Sequence, residues 1–175
     1  NLEGQSLRRA YLASPMEFSR VTSGFKMRFH PILQTWRAHL GVDYGAPIGT
    51  PVRSVGDGVV DFAGVQNGFG NVVIIKHRNQ HETVYAHLSR INVRKGQSVG
   101  QGDPIGAVGA TGWATGPHLH FEFRVNGHHQ DPVTIAQQSE TIPVSPAARA
   151  AFAQSALAQR VNLAAADSLR QASAQ

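Results

Sequence analysis

Cysteine is absent from the 175 residues, and so is any long apolar run. The missing thiols exclude a disulfide scaffold and argue against a structural zinc site, which four ligands normally close, often with cysteine among them. They also weakly favour an oxidising compartment such as a cell envelope. No stretch reaches the roughly 20 apolar residues that span a bilayer. The chain starts with neither a methionine nor the apolar core of a secretory signal, so we expect a processed or excised part of a longer protein.

Acidic residues are the scarcer charge. Eleven Asp and Glu stand against 16 Lys and Arg, which gives a net charge of +5 and an isoelectric point of about 10.2. This balance favours polyanionic surroundings, namely nucleic acid, anionic lipid or an acidic cell-wall polymer. The basic residues are scattered, and the sequence has no helix-turn-helix signal, zinc-finger spacing or RNA-recognition motif. We therefore expect no nucleic acid among the partners.

Glycine is nearly missing from both ends of the chain. All but Gly4 of the 18 glycines lie between Gly24 and Gly127. Short apolar or alternating runs are separated there by turn signals, and no convincing 3.6-residue apolar period interrupts them. The pattern predicts a mostly β fold, an antiparallel sheet with tight turns. The strand candidates are residues 51–55, 59–62, 71–77, 82–88 and 118–125.

The last 31 residues contain twelve alanines and a proline only at Pro146. Ser145 followed by Pro146 is a good N-cap and first-turn pair, so the sequence predicts a C-terminal Ala-rich α-helix. Its apolar stripe is weak, which favours a tail that docks on the domain or frays over a helix that binds a partner. We predict an upstream remnant or linker over residues 1–19, a β domain over 20–133, and a linker with the helical tail over 134–175.

Nine histidines invite a search for metal-ligand spacing. His39 and Asp43 stand four residues apart and can both reach one ion, although this spacing alone is a weak signal. In a strand, alternation places His118, His120, Glu122 and Arg124 on one polar face, with the two imidazoles about 7 Å apart. The residues of such a face can bind a common ion, lie exposed to solvent or form polar pairs with a neighbouring strand. Strand geometry leaves open which histidine binds metal. The opposite, apolar face carries Leu119, Phe121, Phe123 and Val125.

The same alternation, applied to residues 84–88, places three side chains in the core and two on the opposite side. The predicted core set is Val84, Ala86 and Leu88, and the opposite set is Tyr85 and His87. A lone histidine in such a position usually lies at the surface or supports a site without contacting its metal or substrate. No catalytic role is expected for His77, His81, His128 or His129, and His30 is left undecided.

Further motifs connect these histidines in a fixed order. They are Ser23-Gly24-Phe25 with Arg28, His30 and Pro31; His39-Leu40-Gly41-Val42-Asp43 with Ala46-Pro47 and Gly49-Thr50-Pro51-Val52; Gly68-Phe69-Gly70-Asn71; Tyr85-Ala86-His87-Leu88-Ser89; Gly96-Gln97; Gly106 with Gly109; and Thr115-Gly116-Pro117-His118-Leu119-His120-Phe121-Glu122. In order and spacing this set resembles the LytM and lysostaphin-like zinc metallopeptidases, which cleave peptidoglycan cross-links. The resemblance covers about residues 20–133 and is far more specific than any single motif.

The resemblance implies one zinc ion per chain, bound in a groove of the β domain. By similarity, the zinc ligands are His39, Asp43 and His120, and the catalytic histidines are His87 and His118. Three protein ligands beside one open position are the layout of a catalytic zinc. How the two catalytic histidines share water activation, transition-state stabilisation and protonation of the leaving group stays open.

Three further features refine this prediction. The sequence has no His-Glu-x-x-His segment, so a histidine rather than a glutamate must take the proton. Glu122 is expected to support the site rather than to bind as a fourth ligand, because the family does not use it as one and such carboxylates commonly orient ligating imidazoles. Ala114 stands where family members often carry serine, which removes no ligand.

We therefore predict a zinc-dependent peptidoglycan endopeptidase with stem peptides as its substrate. Bonds between D-Ala and diaminopimelate are favoured over oligoglycine bridges by analogy with envelope proteins of Gram-negative bacteria. The expected setting is the periplasm or envelope, where the protein acts as a monomer. A membrane-anchored full-length form is compatible with this setting, and envelope or divisome regulators are further expected partners. The alternative is a non-catalytic activator of other wall hydrolases, which typically lacks part of the metal set. A further hypothesis is that residues 1–17 or 145–175 cover the groove.

Overall fold

The computed structural model describes residues 9–18, 20–30, 35–138, 145, 148 and 150–159. One compact unit comprises Ala10–Ser139, and a second comprises Asn1–Arg9 with Glu140–Gln175. The described part of the first unit is built mainly from strands. They are β1 (Arg20–Ser23), β2 (Lys26–His30), β3 (Thr35–His39), β4 (Val42–Gly45), β5 (Pro51–Arg53), β6 (Gly58–Gln66), β7 (Gly70–Lys76), β8 (His81–Ile91), β9 (Ser98–Val99), β10 (Pro104–Val108), β11 (His118–Val125) and β12 (His128–Gln130), followed by helix α1 (Pro132–Gln138).

Ten of these strands form one antiparallel sheet. Its main path runs β1-β4-β11-β8-β7-β6-β9, while β10 pairs with β5 and β8, and β12 pairs with β11. Strands β2 and β3 form a separate antiparallel pair. The five predicted strands are present as β5, β6, β7, β8 and β11, and the predicted mostly β, antiparallel fold is confirmed. Because β11 lies between β4 and β8, facing residues on these three strands are neighbours.

The two faces of the sheet are covered differently. Leu119, Phe121 and Phe123 of β11 lie in the main hydrophobic core, as their alternation predicts. The opposite face carries a smaller apolar cluster, which consists of Val72, Ile74, Val84 and Ala86 with Phe62 and Phe69 packed against it. The polar residues of β11 share this second face, because His120 is paired with Ala86 and Glu122 with Val84. The predicted metal residues of β11 therefore lie beside the smaller cluster.

Strand β8 departs from strict alternation at His87. Tyr85 is paired with Val73 and Leu88 with Asn71, so β8 advances three residues while β7 advances two. His87 has a φ angle of +62°, in the left-handed region that non-glycine residues rarely occupy. Both features define a β-bulge, which inserts one extra residue and redirects its side chain.

The bulge corrects the prediction for residues 84–88. Tyr85 and Leu88 lie together in the main core, so the expectation that Tyr85 points away from it is wrong. Val84 and Ala86 belong instead to the cluster on the opposite face. A period-2 pattern cannot anticipate the extra residue, since one inserted position exchanges the two faces for everything that follows. His87 reaches the polar face through the bulge rather than through alternation.

The segment before β1 contributes to the core of the first unit. Tyr11 and Met16 are buried, with 9% and 1% of their surface exposed. The Tyr11 ring meets Phe123 edge-on with centroids 4.9 Å apart. The backbone N–H of Leu12 donates to the carbonyl of Val55 at 2.8 Å. These residues therefore pack on the core face of the sheet.

Helix α1 follows β12 directly. The Asp131 carboxylate accepts hydrogen bonds from the Val133 N–H at 3.0 Å and the Thr134 hydroxyl at 3.2 Å, which caps the helix start. Pro132 occupies the first turn, where its missing N–H costs nothing. This helix was not predicted from the sequence, although an aspartate followed by proline is a signal for one.

In the second unit, residues 150–159 are helical. The Ser145 hydroxyl accepts a hydrogen bond from the Ala148 N–H at 3.2 Å, which is the expected N-cap contact. The predicted C-terminal Ala-rich helix is thus confirmed over these residues, and its predicted continuation over 160–175 lies outside the described residues. Within the described ranges, the helices are too short or too polar to cross a membrane.

Candidate metal centre

Two of the three predicted ligands come from paired strands of the main sheet, and the third comes from the end of β3. His39 is the last residue of β3, and Asp43 is paired directly with His120 between β4 and β11. Gly41 makes the tight connection feasible, because a Cβ atom there would lie 2.5 Å from the Phe121 carbonyl oxygen and 2.9 Å from the His120 ring. Only glycine lets the chain pass this close to the site.

Their donor atoms converge on one point. His39 Nε2 lies 3.0 Å from Asp43 Oδ1, His120 Nδ1 lies 2.8 Å from the same oxygen, and the two nitrogens are 3.2 Å apart. Ligand atoms about 2.0–2.1 Å from a tetrahedral ion lie about 3.3 Å from one another. The three side chains, all buried, therefore fit the ligand shell of one small cation.

The ring nitrogens of His39 and His120 that point away from this cluster are also hydrogen-bonded. The Nδ1–H of His39 donates to the Gly24 carbonyl at 2.8 Å. The Nε2–H of His120 donates to Glu122 Oε1 at 3.0 Å. Because a carbonyl and a carboxylate accept hydrogen bonds, these contacts take the Nδ1–H of His39 and the Nε2–H of His120. In the neutral rings, His39 Nε2 and His120 Nδ1 are therefore the nitrogens that can bind a metal. Phe69 stacks on the His120 ring with centroids 5.9 Å apart.

Electrostatics in the cluster favour positive charge. Burial works to raise the pKa of Asp43, but hydrogen bonds from His120 and His39 hold it well below its usual range. Burial works to lower the pKa of His120, but the contacts with Asp43 and Glu122 raise it to about 9. The pKa of Glu122 is lowered against the effect of burial by His120 and by the Arg124 guanidinium. Two carboxylates that stay ionised around the imidazoles suit a cation.

Glu122 is itself anchored by Arg124 and His129, two residues for which the sequence predicted no role at the site. Its Oε2 accepts from Arg124 Nη2 at 2.6 Å and lies 3.1 Å from His129 Nε2. Arg124 Nη1 also donates to Glu82 Oε1 at 2.9 Å. Strand alternation places Arg124 on the same polar face as Glu122, two residues further on, although no role at the site was predicted for it. His129 required the pairing of β12 with β11, which puts it opposite Arg124.

The two predicted catalytic histidines lie beside the three ligands. His118 Nε2 is 3.9 Å from Asp43 Oδ1, and the rings of His87 and His118 have centroids 4.7 Å apart. His118 Nδ1–H donates to the Gly116 carbonyl and His87 Nδ1–H to the Thr111 carbonyl, both at 2.8 Å. Burial lowers the pKa of His87 to about 4, although the bond to the Thr111 carbonyl acts in the opposite direction.

The structure thus brings all five predicted site residues together. The histidines that were given no role behave differently from one another. His77 and His81 pack around Tyr11 on the core face, His128 is exposed, and His129 contacts Glu122. The side chain of His30 lies outside the described residues, as does Pro31.

Comparison with known proteins places the same region in a family. Residues 37–132 match the model of Peptidase family M23. The chain is 50% identical over 139 residues to the DD-carboxypeptidase/endopeptidase Mpg of Neisseria meningitidis, covering 79% of this chain and 32% of that protein. It is 47% identical over 133 residues to the peptidoglycan DD-endopeptidase ShyC of Vibrio cholerae, covering 75% and 31%. The chain spans about a third of the length of these relatives.

Solved structures agree with this match. A zinc-containing peptidase from Vibrio cholerae is similar with a TM-score of 0.67 and 42% identity, over 73% of this chain and 40% of that one. The catalytic domain of the antimicrobial peptidase lysostaphin from Staphylococcus simulans is similar with a TM-score of 0.62 and 33% identity, over 69% of this chain and 93% of that one. The similarity to lysostaphin thus extends over nearly a whole catalytic domain.

Proposed function

The chain belongs to peptidase family M23, and from that premise we propose that it is a zinc-dependent endopeptidase that hydrolyses peptide cross-links of bacterial peptidoglycan. One observation carries the proposal. Three donor atoms on His39, Asp43 and His120 converge within 3.2 Å of one another, and two further imidazoles stand at the edge of this cluster. A metal site with a purely structural role does not require the two additional histidines, His87 and His118.

Zinc is the cation that this donor set suits best. Two imidazole nitrogens and one carboxylate oxygen are common zinc ligands, and three protein ligands leave the open position of a catalytic site. We assign one zinc ion per chain to His39 Nε2, Asp43 and His120 Nδ1. When bound, zinc lowers the pKa of coordinated water to about 7 and polarises a carbonyl group.

His87 and His118 supply the acid-base chemistry in this proposal. Each commits its Nδ1–H to a backbone carbonyl, so Nε2 is the nitrogen that exchanges protons. With a pKa of about 4, His87 is neutral at pH 7 and enters the reaction as an acceptor. Between them the two imidazoles take the proton of the attacking water, stabilise charge on the carbonyl oxygen and return a proton to the leaving amine.

We further propose that the scissile bond joins D-Ala to diaminopimelate. ShyC, ShyA and ShyB of Vibrio cholerae carry the name peptidoglycan DD-endopeptidase, and the chain is 47%, 46% and 43% identical to them. The shared name of these relatives supports a cross-link between D-amino acid residues over an oligoglycine bridge. The net charge of +5 suits a wall polymer that carries carboxylates.

The cellular setting follows from the substrate. A peptidoglycan endopeptidase acts in the bacterial envelope, and we place this one in the periplasm, acting as a monomer on stem peptides. The alternative of a non-catalytic activator is less well supported, because the complete set of five residues is assembled. Envelope or divisome regulators remain proposed partners.

The test uses a purified muropeptide dimer cross-linked between D-Ala and diaminopimelate. We expect the zinc-loaded protein to release monomers, and His118→Ala to lower kcat/KM by about 10²–10⁴-fold, the usual contribution of a general acid or base. His128→Ala is the matched control, since His128 is exposed on β12, and the rate of this variant should be unchanged.

A His118→Ala protein that binds zinc and keeps the full rate would show that the catalytic assignment is wrong. Cleavage of an oligoglycine bridge but not of this dimer would reject the proposed bond.

A further inference from the structure

We propose that Thr111 is a positioning residue, which fixes the tautomer and the direction of His87 through its own backbone carbonyl. The consequence for catalysis rests on the proposed function. The effect on the imidazole does not, because it follows from hydrogen bonds within the chain. Thr111 lies in the loop between β10 and β11, whose residues 109–117 also include the carbonyl of Gly116 that holds His118.

The contact to the ring determines the tautomer. His87 Nδ1 lies 2.8 Å from the Thr111 carbonyl oxygen. A carbonyl oxygen only accepts, so Nδ1 carries the proton and Nε2 holds the lone pair in the neutral ring. The direction of the ring is thereby tied to the position of one loop carbonyl. If that carbonyl moves, the ring can rotate or exchange its proton between the two nitrogens.

The Thr111 side chain explains why this carbonyl is fixed. Its hydroxyl donates to the Leu88 carbonyl at 2.9 Å and accepts the backbone N–H of Asn71 at 3.0 Å. These partners belong to β8 and β7, the two strands whose registers slip at the bulge. The hydroxyl thus fastens the loop to both strands immediately beside His87. A methyl group in place of the hydroxyl can form neither bond.

The backbone of His87 needs such support. Its φ angle of +62° is unfavourable for a residue with a side chain. Its N–H donates to the carbonyl of Phe69, in the turn between β6 and β7, at 2.8 Å. The same turn lies against the loop, since a Cβ atom on Gly112 would lie 2.4 Å from the Gly68 carbonyl oxygen. Loop and turn therefore hold the ring and the backbone of His87 from two sides.

The test compares two substitutions in the zinc-loaded full chain. Thr111→Val keeps the shape and loses the hydroxyl, whereas Thr111→Ser keeps the hydroxyl. Long-range ¹H–¹⁵N spectra report which nitrogen of His87 carries the proton. We expect the Nδ1–H pattern in the unsubstituted chain and in Thr111→Ser, and a mixture of tautomers in Thr111→Val. Asn71→Ala is a second control: it removes the side-chain bond to Leu88 but leaves the N–H that Thr111 accepts, so the pattern should persist.

Kinetics on the muropeptide dimer give the second measurement. We expect Thr111→Val to lower kcat by about 10- to 100-fold with KM little changed and zinc content unaltered, because the substitution misplaces a reacting group. Thr111→Ser should retain most of kcat. If Thr111→Val does not fold, Thr111→Ala removes the same hydroxyl.

An unaltered Nδ1–H pattern and an unaltered kcat in the variants without the hydroxyl would overturn the proposal. A chain without any peptidase activity would instead refute the proposed function, and the spectra would still decide the role of Thr111.

Discussion

Glu122 is the residue through which the metal site is connected to the rest of the sheet. It accepts the Nε2–H of His120 on one side and is held by Arg124 and His129 on the other. Carboxylates in this position fix the orientation of a ligating imidazole and make it a better ligand. The site therefore depends on a residue that binds no metal itself.

Replacing this carboxylate should weaken metal binding. We expect Glu122→Gln to lower zinc affinity by about 10–100-fold, because the amide no longer provides the negative charge that His120 and Arg124 contact. Competition with a chromophoric chelator measures the affinity directly. Glu82→Gln is the control, because Glu82 contacts Arg124 at Nη1, whereas Glu122 is held by Nη2. The zinc affinity of this variant should be nearly unchanged. Equal zinc affinity in Glu122→Gln and the unsubstituted chain would contradict this role.

For single residues, the sequence predicted which residue types bind the metal better than it predicted how they are arranged. The four-residue spacing of His39 and Asp43 fits many loops, and only the pairing of Asp43 with His120 brings the three donors together. The role of Gly41 depends on a carbonyl 80 residues further along the chain, that of Phe121, and is invisible in local sequence. Resemblance to a family supplied what spacing could not.

At the scale of elements, β8 and β11 show where pattern analysis succeeds and fails. Strand β11 keeps its alternation, and its core and polar faces lie where a period of two places them. Strand β8 has a bulge at His87, so the same rule puts Tyr85 on the wrong face. At the bulge, His87 contacts the loop and the turn, both distant in sequence from it, and local sequence does not show these contacts. Helix α1 was missed because seven residues are too few for a helical period to show.

The contact between the loop and the β6–β7 turn gives a prediction about glycine. Gly112 has a φ angle of +71°, and a Cβ atom there would lie 2.4 Å from the Gly68 carbonyl oxygen and the Gly70 nitrogen. We expect Gly112→Ala to lower the free energy of unfolding by about 2–4 kcal/mol, since both the strained φ and the overlap must be accommodated.

Gly116, in the same loop, is the matched control. A Cβ atom there meets open space, so Gly116→Ala should change the free energy of unfolding by less than about 0.5 kcal/mol. Urea unfolding of the two variants measures both values. Equal stabilities would mean that the loop and the turn are not in the close contact described here.

On the scale of the whole molecule, the sheet separates two groups of histidines. One group lines the candidate metal centre, and the other, His77 and His81, surrounds Tyr11 on the core face. His77 Nδ1–H donates to the Asp57 carbonyl at 2.9 Å, and Nε2 lies 2.8 Å from Thr83 Oγ1. Burial lowers the pKa of His77, so the folded protein favours its neutral form.

This burial makes global stability depend on pH. An unfolded chain protonates histidine at a pKa near 6.5, whereas folded His77 resists protonation. Below pH 6.5 the unfolded state therefore binds more protons, and the stability contributed by His77 falls as the pH falls. We expect the difference in unfolding free energy between the unsubstituted chain and His77→Gln to shrink from pH 7.5 to pH 5.5. Urea unfolding of both proteins at both pH values measures this difference. A difference that stays constant or widens toward pH 5.5 would contradict the predicted direction of the pH dependence.

Zinc content and cleavage of the natural polymer, measured on the same samples, show whether this chain is a zinc peptidase. Purified unsubstituted protein and His120→Ala are analysed for metal by mass spectrometry and incubated with purified sacculi. We predict one zinc ion per unsubstituted chain and release of cross-linked muropeptides as monomers, with both lost in His120→Ala. Zinc bound at full occupancy by His120→Ala, or no zinc bound by the unsubstituted chain, would contradict the assignment of the metal centre.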